Sequence, residues 1–86
     1  MASYRIEWKH SAVRELRRLP PDVVMRITDA VGQLSTEPFP SGMRKLVGSD
    51  RTYRLRVGDY RVIYTVSVVE VVIEVVRVRH RKEVYR

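Results

Sequence analysis

Two residues, Gly58-Asp59, interrupt a run of aromatic, aliphatic, threonine and arginine residues from Thr52 to Val66. A two-residue break between β-type runs marks a tight hairpin, and glycine in its first position suits a type II′ turn. Such a turn dictates the pairing. Val57 must face Tyr60, Arg56 must face Arg61, Leu55 must face Val62 and Tyr53 must face Tyr64. Side chains alternate faces along a strand. Tyr53, Leu55, Val57, Tyr60, Val62 and Tyr64 therefore share one face, which suits a core. Arg54, Arg56 and Arg61 share the other. Two arginines directly opposite one another repel, at a cost of roughly 0.2–1 kcal/mol. A hairpin selected only for stability would carry glutamate or threonine there, and such a local conflict is where a functional site is expected. The competing reading is a solvated sheet face whose arginines protect an edge.

The rest of the chain supplies layers to cover the apolar face. Tyr4 to Trp8 alternates as a half-buried strand. A short helix is expected from an N-cap at Ser11 to Leu19, with Ala12, Val13, Leu16 and Leu19 as its stripe, until Pro20-Pro21 stops it. A second helix begins at Asp22 and carries Val23, Val24, Ile27, Ala30, Val31 and Leu34 at helical spacing. Ser35 to Lys45, with Pro38, Pro40 and Gly42, reads as a loop. A third strand runs from about Val71 to Val78, after a turn over Ser67 to Glu70. Unbroken alternation puts Ile73 and Val75 in the core, and Val72, Glu74, Val76 and His80 on the arginine face. Glu74 is then expected to moderate the charge near Arg61. The same parity puts Arg81 on the opposite face unless the tail turns after Val78. The expected fold is α+β and a single domain over 1–86. Its order is strand, two-helix hairpin and three-stranded antiparallel meander, with the helices on one face of the sheet.

Charge narrows the functional classes. Residues 1–43 hold six basic and five acidic side chains, whereas residues 44–86 hold eleven and five, so +6 of the net +7 lies in the second half. Fourteen of the seventeen basic residues are arginine, whose planar fork suits bidentate phosphate binding. A basic half built this way points to a polyanion, nucleic acid first, against the alternative of an acidic protein surface. Cysteine is absent, which excludes disulfides, thiolate metal sites and a cysteine nucleophile, and fits a reducing cytoplasm. Two histidines are too few for an ordinary histidine metal site, so neither metal nor cofactor is expected. No apolar run is long enough to span a bilayer, and Arg5 and Glu7 argue against a signal peptide at the start.

The run Tyr53-Arg-Leu-Arg-Val-Gly-Asp-Tyr-Arg-Val-Ile-Tyr64, followed by His80-Arg-Lys-Glu-Val-Tyr-Arg86, resembles the RelE branch of the RelE/ParE toxin superfamily. Leu16 to Leu19 before Pro20, and Pro38 to Leu46 with Gly48, extend the resemblance over essentially the whole chain. It implies a cytoplasmic toxin that enters the ribosomal A site and cleaves messenger RNA. It also implies a RelB-like antitoxin that wraps the toxin, with operator DNA bound only by the toxin–antitoxin complex. By this resemblance the family's two sheet lysines fall on Arg54 and Arg56, its sheet arginine on Arg61, and its C-terminal pair on Arg81 and Tyr85. Arg56, Arg61, Arg81, Tyr85 and His80 are the expected catalytic set. Lys45, Arg54, Arg79 and Arg86 are the expected RNA contacts.

The chemistry such a set supports is attack of an RNA 2′-hydroxyl on the adjacent phosphate, without metal. Arg56 and Arg61 suit stabilisation of the phosphorane oxygens, and Arg81 suits the leaving 5′-oxygen. Arginine stays protonated above pH ~12, so Arg54 is a poor general base. Tyr85 and His80 are the alternatives. Two rival functions differ in class: a ParE-like gyrase poison, and a nucleic-acid-binding regulator that leaves RNA intact.

Overall fold

The computed structural model describes residues 3–82. Strand β1 (Arg5–Trp8) leads into helices α1 (His10–Arg17) and α2 (Pro21–Gln33). Four strands follow: β2 (Met43–Lys45), β3 (Thr52–Val57), β4 (Tyr60–Ser67) and β5 (Val72–His80). They form one sheet in the order β1-β5-β4-β3-β2, with β1 parallel to β5 and every other pair antiparallel. Both helices cover one face, as expected of the α+β class.

The core records why each element formed. Val23, Ile27 and Val31 of α2 and Ala12 of α1 are buried against Val62, Val75 and Val78. Leu34, Leu55, Tyr64, Val66 and Ile73 form a second buried cluster. The helical stripe and the strand alternation thus meet on one surface. An aromatic series ties down the segment between α2 and β2. Phe39 meets Tyr53 edge-on at 5.2 Å, and Tyr53 lies 5.8 Å from Tyr64. The Tyr64 hydroxyl donates to the Pro38 carbonyl at 2.9 Å. Burial, and secondarily the neighbouring Tyr53, push the Tyr64 hydroxyl up to about 12.

Three expectations need correction. Helix α1 starts one residue earlier than the proposed Ser11 cap: Lys9 is the N-cap, and it makes no side-chain capping bond. The Lys9 N–H instead donates to Val75 O at 2.9 Å, so pairing with β5 carries the chain straight into the helix. The segment from Ser35 to Lys45, expected as loop, contains β2, which pairs with β3 through Met43–Leu55, Arg44–Arg54 and Lys45–Tyr53. Three residues after a proline-rich stretch are too few for alternation to be recognised.

The third correction matters most for the site. Ile63 pairs with Arg77 but Tyr64 pairs with Val75, leaving Val76 as an extra residue in β5. This β-bulge reverses the alternation beyond it. Val78, not the residue at 77 that unbroken alternation would select, continues the core, at 3 % exposure. His80 pairs with Tyr60 and lies on the helix face, while Arg77 and Arg79 join the arginine face. Unbroken alternation would have put both arginines into the core, which burial of unpaired charge forbids.

Candidate functional site: a row of arginines on the open sheet face

The β3–β4 hairpin forms in the register dictated by its turn, with Arg56 opposite Arg61 and Val57 opposite Tyr60. Gly58 adopts φ +60°, a value that only glycine takes readily. The Arg56 Nε donates to the Gly58 carbonyl at 3.0 Å, so the turn also orients the first arginine. On the next strand Arg61 faces Arg79. Arg56, Arg61 and Arg79 therefore form one row across β3, β4 and β5, on adjacent strands spaced about 4.8 Å apart. A parallel row runs Arg44, Arg54, Ile63, Arg77.

Beyond β5 the chain turns at residues 81–82. The Arg81 N–H donates to the Asp59 carbonyl at 2.8 Å, and the Arg81 Nε lies 3.9 Å from Asp59 Oδ1. These contacts bring the tail back onto the hairpin turn. Arg56, Arg61, Arg81 and Lys82 consequently line one cavity of about 360 Å³. That volume falls at the small end of ligand sites, roughly 300–1,000 Å³. Four cations around one concavity favour an anion there, and arginine offers it paired donors.

The expected site residues divide accordingly. Arg56, Arg61 and Arg81 come together, although Arg81 does so by a turn after His80 rather than after Val78. Arg54 sits one row away on the same face. Arg79 lies on this face, but its Nε is held at 3.2 Å from Glu15 Oε2. His80 packs edge-on against Tyr60 at 5.1 Å on the opposite face, and its Nδ1 accepts the Lys82 N–H at 3.3 Å. It shapes the turn instead of entering the cavity. Lys45 pairs with Tyr53, a core-face residue, so it too lies on the helix face. Arg44 takes its place beside Arg54, a position that a three-residue strand is too short to reveal by alternation. Glu74 pairs with Thr65, four residues along β4 from Arg61 and so about 13 Å away; it does not moderate the arginine row. Glu15 and Asp59 do that. Tyr85 and Arg86 lie outside the described residues. Among the described residues, no three His, Cys, Asp or Glu side chains gather as metal ligands, and no helix is long and apolar enough to cross a membrane.

The family described as the ParE toxin of the type II toxin–antitoxin system parDE matches residues 6–85. Toxin RelG of Mycobacterium tuberculosis is 33% identical, over 96% of this chain and 97% of that protein. The chain is a type II toxin of the RelE/ParE superfamily. Its fold superposes on the toxin of the archaeal RelE–RelB complex from Pyrococcus horikoshii with a TM-score of 0.83 at 33% identity, covering 92% of this chain and 96% of that one. The intact E. coli RelBE complex gives a TM-score of 0.78 at 26% identity, covering 91% and 96%. The toxin thus has full-length relatives on the RelE side, and the arginine row occupies the face of its sheet opposite the helices.

Proposed function

We propose that this toxin is a metal-independent endoribonuclease that cleaves messenger RNA in the ribosomal A site. The observation that carries the reading is the convergence of Arg56, Arg61 and Arg81 on one cavity. A phosphodiester enters that cavity. The 2′-oxygen attacks the adjacent phosphorus, a new P–O2′ bond forms, and the bond to the 5′-oxygen breaks. The products are a 2′,3′-cyclic phosphate and a 5′-hydroxyl end. Arg56 and Arg61 take the non-bridging oxygens, where negative charge grows; one such donor is typically worth about 3 kcal/mol. Arg81 faces the departing 5′-oxygen and offsets its negative charge until it takes a proton from solvent. Arg54 and Arg44 contact neighbouring phosphates along the second row. The proton acceptor is Tyr85 by resemblance. The ribosome orients the message, and such positioning supplies a large share of the rate.

The partner in the cell is a RelB-type antitoxin, in keeping with the complexes formed by the toxin's structural neighbours. The match to a ParE-type description favours one second reading, a gyrase poison. One experiment separates the two. The toxin is added to translation in vitro, and primer extension is run on the message. Cuts confined to translated codons, with 5′-hydroxyl ends, support the nuclease. An intact message together with cleaved supercoiled DNA in a gyrase assay supports the second reading.

A further inference from the structure

The helix layer contributes one residue to the arginine face. Glu15 of α1 lies beside β5, beyond the point where β1 stops pairing at Trp8–Val75. Past that point β5 has an open edge. Glu15 fills it: Oε1 accepts the Val78 N–H at 2.9 Å, while Oε2 lies 3.2 Å from Arg79 Nε and 3.9 Å from Arg77 Nη1. The Glu15 side chain is only 23% exposed, so its charge is less screened than that of a surface glutamate. Arg79 stands directly opposite Arg61 in the sheet. Yet Arg79 is not among the residues lining the cavity, whereas Arg56, Arg61, Arg81 and Lys82 are.

We propose that Glu15 is a positioning residue that draws Arg79 to the outer edge of β5, and so sets how many cations the cavity offers to a phosphate chain. Arg79 has a further contact besides Glu15; without the Glu15 charge, a phosphate held at Arg61 competes for its guanidinium on better terms and gains a contact from it. This inference rests on the reading of the face as an RNA site, and it concerns a residue on the opposite layer of the fold. Glu15→Gln is the sharp perturbation. The amide oxygen still accepts the Val78 N–H, but the negative charge is gone.

The test has two arms on the full chain. The first measures binding of an uncleavable 2′-O-methyl RNA oligonucleotide across salt concentrations. Each added phosphate contact steepens the logarithmic salt slope by about 0.7. E15Q should steepen it by that amount, equivalent to about fivefold in affinity per tenfold change in salt. Adding Arg79→Gln to E15Q should cancel the gain, whereas Arg79→Gln alone should change the slope by less than half as much. A slope unchanged in E15Q, in a protein that stays folded, overturns the proposal. The second arm needs no RNA. In the wild-type toxin the Arg79 Nε–H should exchange slowly with solvent by NMR; exchange as fast as that of exposed arginines overturns the placement even if E15Q fails to fold. Slow exchange without any RNA binding would instead refute the RNA reading and leave Glu15 as a strut.

Discussion

Removing one oxygen from the core, in Tyr64→Phe, should make the protein less stable at neutral pH and relatively more stable at high pH. Tyr64 is fully buried and donates to the Pro38 carbonyl at 2.9 Å. Losing that bond costs about 1 kcal/mol at pH 8 and leaves the carbonyl without its donor. The alkaline behaviour follows from the raised ionisation of the hydroxyl, from an ordinary 10.0 to about 12. Below pH 10 both folded and unfolded states hold the proton, and the contribution is complete. Between 10 and 12 the unfolded chain releases it while the folded protein does not, so stability falls as pH rises. The full loss is about 2.7 kcal/mol, reached only above both values. At pH 11 roughly half of it, about 1.4 kcal/mol, is already gone. Phenylalanine has no proton to lose. The two proteins should therefore be equally stable at about pH 10.7, and the variant the more stable by about 0.4 kcal/mol at pH 11 and by more at pH 11.5. Urea unfolding of both from pH 8 to 11.5 measures the difference directly, and the groups titrating in both cancel. A gap between the two curves that stays constant with pH would refute the argument.

Three further outcomes are expected. Arg61→Ala should keep the fold and antitoxin binding but slow message cleavage by about a hundredfold or more, read in single-turnover assays; an unchanged rate removes Arg61 from the site. Arg44→Ala should weaken RNA binding and flatten its salt dependence, whereas Lys45→Ala, on the other face, should do so much less; equal effects would contradict the β2 register. Val71 adopts φ +57°, a left-handed conformation that is costly for a β-branched residue. Val71→Gly should therefore stabilise the protein by about 0.5–1 kcal/mol, visible as a melting temperature several degrees higher, and a lower one would count against the strain.

Legibility in the sequence tracked how sharply each local rule is marked. The β3–β4 register was readable to the residue because a two-residue turn with glycine permits few alternatives. The two helices were readable from their stripes and from Pro20-Pro21. The position of β5 was readable, but its phase was not, since Val75-Val76 offers no polar residue to show where alternation breaks. A signal did exist. Ile73 and Val75 claim odd positions for the core, while Arg77 and Arg79 cannot share them, so a phase change between 75 and 77 was required by charge burial alone. Ser11 is the usual kind of capping residue, whereas helix α1 takes its start from sheet pairing at Lys9. Glu15 was invisible as a site neighbour for a different reason. Its partners are more than sixty residues away in the chain, and only the layered packing of α1 on β5 brings them within reach.

The bulge at Val76 also decides how this lineage can vary in length. Residues inserted into the loop before β2 lengthen a surface excursion and leave every strand in step. A single residue lost from β5 at position 76 would remove the bulge and leave Arg77, Val78, Arg79 and His80 on the faces they now occupy. The cavity would keep its arginines although the strand had shortened. Descendants of such a deletion would keep both the architecture and the chemistry they present to whatever polyanion they meet.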